Sequence, residues 1–165
     1  MEITYPQELI VFLKNKHLLI DTNIFRDATV KPSVFYKFFN ELKGSDVTLA
    51  TIDFVKYELL KGAANSNKYH EREILINSII EVTIPIVPET YKFAYNLITL
   101  YGIDGASVNI TDIFLGAILM QYKKNICLIT RDTSDFMPKI FDLLFIINVP
   151  HGKGIFTYGV YQYRK

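Results

Sequence analysis

The sequence predicts an α/β fold: a three-layer α/β/α sandwich with a central, mainly parallel sheet, formed by one domain over residues 1–165. Short apolar segments rich in β-branched residues alternate with longer segments whose apolar residues recur at helical spacing. This alternation is typical of a parallel sheet that is covered by helices. Half of the residues are hydrophobic and 14% are aromatic, which excludes a disordered chain and supplies a core.

The first half of the chain combines two strands with four helices. Apolar residues at helical spacing predict each helix, and β-branched runs predict each strand. In order, we predict a helix at 5–16, a strand at 17–21, a helix at 33–43 that stops at Gly44, a strand at 46–52, a helix that Asp53 caps and that runs to Gly62, a polar loop at 63–70 and a helix at 71–80. Residues 1–16 form an N-terminal helical leader in this prediction.

The second half repeats the alternation of strands and helices. A proline-bounded strand comes first, and the most apolar helix of the chain lies near its middle. The predicted elements are a strand at 81–88, a helix at 89–102, a loop at 103–109, a helix at 111–124, and strands at 125–132 and 143–150. Residues 151–165, rich in Gly and Tyr, are a C-terminal extension that forms a hairpin or an irregular cover.

Composition limits the class of protein. The formal net charge is +1, so no global basic field indicates a nucleic-acid partner, although a local patch suffices to bind one. The single cysteine, Cys127, excludes an internal disulfide framework and a cysteine-based zinc site. We find no secretory leader and no run long enough to span a bilayer, and therefore expect a soluble cytoplasmic protein with no membrane partner.

Acidic residues recur where strands end and helices begin. Asp21 closes one predicted strand and Asp132 closes another, so both lie at the same edge if the strands are parallel. Asp112 stands in the first turn of its helix, and Glu58 follows the strand at 46–52. Taken singly, these acids also fit ordinary capping, turn and solvent-exposed positions.

Four blocks in this order resemble the PIN-domain ribonuclease family, and within it the VapC-like toxin branch. The blocks are Asp21-Thr22-Asn23, Glu58 in YELLKG, Asp112 in TDIFLGAI, and the stretch from Thr130 to Phe136. The resemblance covers about residues 17–148 and implies a metal-dependent endoribonuclease, a hydrolase that leaves a 5′-phosphate and a 3′-hydroxyl. It also implies a toxin–antitoxin role, with an antitoxin partner and a homodimer.

The resemblance assigns roles to individual positions. Asp21, Glu58, Asp112 and Asp132 match the catalytic, metal-binding acids. Around them, Thr22, Asn23 and Thr130 are expected to hydrogen-bond the acids or bound waters, and Asp135 is a further acid beside the cluster. We also expect three cations near the acids to contact RNA: Arg131, Lys56 and Lys61.

The types of these residues favour Mg²⁺ or Mn²⁺ as the cofactor. Both are hard cations that prefer carboxylate and water oxygens, and the three histidines (His17, His70 and His151) lie outside the four blocks. Such an ion can activate water and neutralise charge on a phosphodiester. Two alternatives stay open from the sequence: a nuclease that processes ribosomal or transfer RNA, and a non-catalytic PIN-like binding module.

Overall fold

The computed structural model describes residues 2–165 as seven α-helices and one mixed, six-stranded sheet. The helices are α1 (Glu8–Leu13), α2 (Thr22–Val30), α3 (Pro32–Gly44), α4 (Asp53–Lys61), α5 (Ser66–Ile79), α6 (Pro88–Tyr101) and α7 (Ile110–Tyr122). The strands are β1 (His17–Ile20), β2 (Thr48–Thr51), β3 (Val82–Thr83), β4 (Ile126–Thr130), β5 (Phe141–His151) and β6 (Gly154–Tyr163). The predicted α/β class with a mostly parallel sheet is therefore confirmed.

The strand order in the sheet is β3-β2-β1-β4-β6-β5. The first four of these strands pair in parallel, whereas β6 runs antiparallel to both β4 and β5. Every residue of β4 is buried. Because successive side chains of a strand point to opposite faces, the sheet is covered on both faces at its centre.

The segments predicted as a leader and an extension both belong to the core. Leu9 and Leu13 of α1 are fully buried, and Phe12 packs against Phe145 of β5. The tail forms the hairpin that was one of its two predicted structures, and β6 pairs with β4 inside the sheet. Tyr158 of β6 is among the largest buried side chains.

One unassigned segment and three predicted elements differ from the observed structure. Residues 22–30, left unassigned by the periodicity, form α2, and the loop predicted at 63–70 is wrong after residue 65 because α5 begins at Ser66. Asn65 caps α5 by accepting a hydrogen bond from the Lys68 amide, which starts a helix in a polar sequence. The strand at 81–88 is only two residues long, and Asp53 is the first residue of α4 after the N-cap Ile52.

Helices α6 and α7 pack closely at Gly116. A Cβ atom there would lie 2.5 Å from Cδ2 of Leu97 and 3.1 Å from Cζ of Phe141, and both neighbours are buried. The absence of a side chain therefore lets α7 approach α6 and the hairpin.

Gly116→Val should lower the free energy of unfolding by about 2 kcal/mol, because extra volume in a packed core forces its neighbours to shift. Urea denaturation measures the loss. Gly44→Ala at the end of α3 is the matched control, since a Cβ atom there meets nothing within 4 Å. Equal stability of the two variants would contradict the close packing of α6 on α7.

Candidate metal centre

Strands β1 and β4 bring two polar segments together at the carboxyl edge of the sheet. The strands pair in parallel with Ile20 opposite Ile129, and the Asp21 amide donates to the carbonyl oxygen of Ile129 at 3.3 Å. Asp21 therefore lies beside Thr130, where each chain leaves its strand. This register is the physical reason that residues more than 100 positions apart become neighbours.

Helix α7 brings Asp112 to the same edge. A short turn joins the end of α7 to the start of β4, so α7 begins near the far, carboxyl end of that strand. Asn109 caps the helix, with its side-chain oxygen accepting a hydrogen bond from the Asp112 amide at 3.0 Å. The residues from Thr111 to Met120 are all buried, which fixes the position of the first turn.

The turn after β4 supplies two more acids. The Ser134 hydroxyl donates to Oδ1 of Asp132 at 3.0 Å, and the Asp132 amide donates to the Thr130 hydroxyl oxygen at 3.0 Å. From α6, the buried Tyr101 hydroxyl donates to the Asp135 carbonyl oxygen at 2.5 Å. These bonds hold the turn against the helix layer.

Three carboxylates converge at this edge. One oxygen each of Asp112, Asp132 and Asp135 lies within 4.8 Å of the other two. Asp112 is buried, with 4% of its surface exposed, and the other two are half-buried. Among the acids, histidines and cysteines of residues 2–165, these three have ligand atoms close enough together to hold a metal ion.

Asp21 borders this group and is held by hydrogen bonds. Its carboxylate accepts from the Thr22 amide at 2.6 Å, the Thr130 hydroxyl at 2.6 Å and the Asn23 amide group at 3.3 Å. Burial raises the pKa of Asp21 to about 6, with smaller contributions from the charges of Glu58 and Asp132. The hydrogen bonds from Thr130 and Thr22 oppose this rise because they stabilise the carboxylate.

The carboxyl group of Asp112 is the most strongly perturbed in the cluster. Burial, which is the largest cause, and the neighbouring charges of Asp21, Asp135 and Asp132 together raise its pKa to about 9. Burial also raises the pKa of Asp135, whose carboxylate accepts a hydrogen bond from Asp112. Without a cation, Asp112 therefore keeps its proton at neutral pH and shares it with Asp135.

Thr130→Val should destabilise the protein by about 2 kcal/mol, because the buried Asp21 carboxylate and the Asp132 amide both lose a partner. The expected effect is larger than that of Thr51→Val, since the equally buried Thr51 hydroxyl makes one hydrogen bond, to the Ile20 carbonyl oxygen. Urea denaturation of both variants measures the difference, and Thr130→Ser should restore stability. A smaller loss for Thr130→Val than for Thr51→Val would contradict the central role of this hydroxyl.

Glu58 lies outside the group of three acids. Its carboxylate forms an ion pair with Arg26 of α2 at 3.7 Å, and both side chains are partly exposed. Glu58 is nevertheless near enough to Asp21 for its charge to raise the pKa of that residue. The four acids predicted from the sequence are thus arranged as two in the group, Asp112 and Asp132, with Asp21 and Glu58 along one side.

Asn23 and Thr22, predicted to support the acids, have different surroundings. Asn23 ties the two strand ends together: its amide group donates to Asp21 and to Thr130, and its oxygen accepts from the Arg131 amide at 3.1 Å. The Thr22 hydroxyl is buried and makes no hydrogen bond with the described residues. Thr22 contributes its backbone amide to Asp21 instead.

The predicted RNA-binding cations lie at different places around the acids. The guanidinium group of Arg131 pairs with Asp27 at 3.1 Å and stacks 4.5 Å over the ring of Phe156, so part of its surface is already occupied. Lys61 shares a face of α4 with Glu58, three residues away, and forms no ion pair within residues 2–165. Lys56, two residues before Glu58, is on another face of the helix.

Several residues of the site were not predicted. Asp27 accepts hydrogen bonds from the hydroxyl of the buried Tyr158 and from Arg131, and Arg26 pairs with Glu58. Asp27 and Arg26 lie on α2, the helix that was not predicted. Asn109 carries a readable signal, because an Asn followed three residues later by an acid marks the start of a helix. No local signal identifies Tyr101, whose contact depends on the tertiary structure.

The chemistry of the group fits a hard divalent cation. Its donors are carboxylate oxygens only, as Mg²⁺ and Mn²⁺ prefer, and no described histidine or cysteine belongs to it. Burial is the main cause of the raised pKa values of Asp21 and Asp112, and the charges of the neighbouring carboxylates add to it, so a bound cation would stabilise the ionised forms. Asp112, Asp132 and Asp135 are the residues that would hold the ion, with Asp21 beside them.

No family model, curated protein or solved structure matches the chain. Within residues 2–165 no helix combines the length and the apolar character needed to cross a membrane. The function is therefore inferred from the side chains at the carboxyl edge of the sheet.

Proposed function

We propose that the protein is a divalent-metal-dependent endoribonuclease with a PIN-like, three-layer α/β/α fold. The observation that carries this proposal is the convergence of three carboxylate oxygens within 4.8 Å of one another at the carboxyl edge of the sheet. That edge is where open α/β sheets bind their ligands. The four sequence blocks that resemble the PIN-domain family add support, since Asp112 and Asp132 are common to both arguments.

The acids would act by binding Mg²⁺ or Mn²⁺. A bound ion of this kind neutralises charge on a phosphodiester and makes water more acidic. Asp112, Asp132 and Asp135 supply oxygen ligands, and the hydrogen bonds of Thr130 and Asn23 fix the orientation of Asp21. Glu58 completes the negative edge from α4 and is itself oriented by Arg26.

Positive side chains beside the acids supply contacts for the RNA backbone. The Arg26 and Arg131 guanidinium groups each pair with an acid and remain partly exposed, and Lys61 is exposed on the Glu58 face of α4. Lys56 extends this set on a different face. Because such contacts release counterions, RNA affinity should fall as salt concentration rises.

The resemblance to the VapC-like branch extends the proposal to a cellular role. In that role the protein is the cytoplasmic toxin of a toxin–antitoxin pair, a homodimer that an antitoxin inhibits by covering the acids. Growth arrest upon expression, absent for Asp112→Asn, tests the toxin role. Normal growth together with cleavage of ribosomal or transfer RNA in vitro would favour a processing nuclease.

The nuclease itself is tested with a pooled single-stranded RNA library, with Mn²⁺ or Mg²⁺, followed by mapping of the fragment ends. We expect cleavage with 5′-phosphate ends for the wild type and none with EDTA. Asp112→Asn should abolish cleavage, and Asp53→Asn is its matched control. Asp53 is also an acid in the first turn of a helix, but it is exposed and lies outside the group. Intact RNA with the wild type and both ions would overturn the proposal and leave a non-catalytic binding module.

A further inference from the structure

A second cleft lies at the opposite, amino edge of the sheet. It consists of two adjoining cavities of about 470 Å³ and about 430 Å³ that share Tyr122 and Asn125. Helix α7 separates the cleft from the acids: Asp112 is in its first turn, and Lys123 follows its last, about 16 Å further along the axis. The cleft is therefore distinct from the candidate metal centre.

The two halves of the cleft differ in chemistry. The larger cavity has an apolar floor formed by Val82, Ile84, Pro85 and Ile126. Its polar lining residues include His17 at the start of β1. A flat, partly polar ring is the kind of group that such a lining accommodates.

The smaller cavity is basic. Lys123, Lys124 and Lys165 line it, and all three are exposed. None of them forms an ion pair with a described residue. No Asp or Glu side chain among the described residues lines either cavity. Cations close together, with no acidic side chain among the lining residues, create a positive potential that an anion would relieve.

The backbone of Lys123 gives an independent indication of function. Its φ of 52° and ψ of −122° lie in a region that glycine adopts readily and that costs other residues about 1–3 kcal/mol. Glycine is also the usual residue just after a helix. A lysine at this position lowers the stability of the fold relative to glycine, which a role for its side chain in binding would explain.

We propose that this cleft binds a nucleotide. The ammonium groups of Lys123 and Lys124 bind its phosphate, and the base lies between Tyr122 and the apolar floor. A free nucleotide and a nucleotide unit of an RNA strand share this chemistry. The site is independent of the acids at the other edge of the sheet and goes beyond the proposed nuclease.

Binding is measured on the full chain in EDTA, so that no divalent cation supports cleavage. The probes are adenosine monophosphate, by calorimetry, and a labelled single-stranded RNA of about ten nucleotides, by anisotropy, a length in the range of single-strand sites. The variants are Lys123→Gln/Lys124→Gln and Lys123→Gly. The matched control, Lys43→Gln/Lys92→Gln, removes two charges elsewhere, one at the partly exposed Lys43 and one at the exposed Lys92.

The cleft variant should weaken binding of one or both probes at least tenfold relative to the control. For the RNA, the slope of log affinity against log salt should fall by about 1.4, as the loss of two phosphate contacts on a single strand requires. Lys123→Gly should raise Tm and yet weaken binding at least about threefold, because it removes strain and charge together. Binding of the monophosphate indicates a free nucleotide, and binding of the RNA alone indicates a strand.

Two results would overturn the proposal. The first is equal affinity of the cleft variant and the control for both probes. The second is a Lys123→Gly variant that gains stability and binds like the wild type, which would make Lys123 a strained helix end without a role. A wild-type protein that binds the nucleotide but does not cleave RNA with Mn²⁺ or Mg²⁺, by contrast, would contradict the nuclease and support this site.

Discussion

Asp112→Asn should reduce Mn²⁺-dependent RNA cleavage by at least about 100-fold, since even the loss of an outer-shell partner costs metal sites about 10- to 100-fold. The same change should leave the metal-free protein at least as stable as the wild type near pH 8. The reason is that burial and neighbouring carboxylates raise the pKa of Asp112 to about 9, so its charged form is disfavoured in the fold. An amide keeps the shape, and its N–H can donate to Asp135 as the proton does.

The two readouts distinguish a metal ligand from a helix cap. The Asn109 side chain bonds to the Asp112 amide of the backbone, so the cap of α7 survives the substitution. Asp53→Asn, in the first turn of α4, controls for the loss of an acid at the start of a helix. A large loss of metal-free stability for Asp112→Asn, with cleavage unchanged, would mean that Asp112 is structural.

Mn²⁺ should raise the Tm of the wild type by about 5–10 °C near pH 8 at 100 times its Kd, and by much less near pH 5. Asp21 and Asp112 have folded-state pKa values of about 6 and about 9, both above the ordinary value of 3.8. A raised pKa stabilises the fold below the unfolded value, and that contribution is lost as pH rises through the folded value. The metal-free Tm should therefore fall between pH 4 and 9.

A divalent cation opposes this loss because it favours the ionised carboxylates that high pH produces. Calorimetric scans over this pH range, with Mn²⁺ or with EDTA, measure both trends. Asp112→Asn should flatten the metal-free pH dependence and abolish most of the Mn²⁺ shift, whereas Asp142→Asn, on the exposed side of β5, should change neither. An equal Mn²⁺ shift at pH 5 and pH 8 would contradict a site made of these carboxylates.

Periodicity identifies the buried elements of this chain but fails where a helix begins with polar residues. Strand β4 and helix α7 are predicted to within two or three residues because nearly all their residues are apolar and buried. Helix α5 begins five residues before its prediction because Asn65 caps a polar first turn. Helix α2 begins at Thr22, directly after its N-cap Asp21, and was not predicted from its periodicity.

The candidate site is likewise predictable from the sequence only in part. Strand ends and a helix start locate Asp21, Asp112 and Asp132 at one edge, because the topology of a parallel sheet determines where such residues lie. The positions of the side chains depend on the conformation of a turn, because the short helix at Thr133–Asp135 brings Asp135 into the group. Glu58, by contrast, forms an ion pair with Arg26 and lies outside it. Side-chain partners of that kind depend on tertiary distances, which one sequence does not encode locally.

The position of β6 between β4 and β5 has a consequence for biosynthesis. Of the six strands, β6 leaves the ribosome last, yet it covers one edge of β4, the strand that ends at Thr130. Until then the main-chain donors and acceptors on that edge have no strand to pair with, and a free edge invites association with other chains. A nascent chain therefore cannot complete the surroundings of its acids before residue 163 has emerged, which delays assembly of the centre until nearly the whole described chain is made.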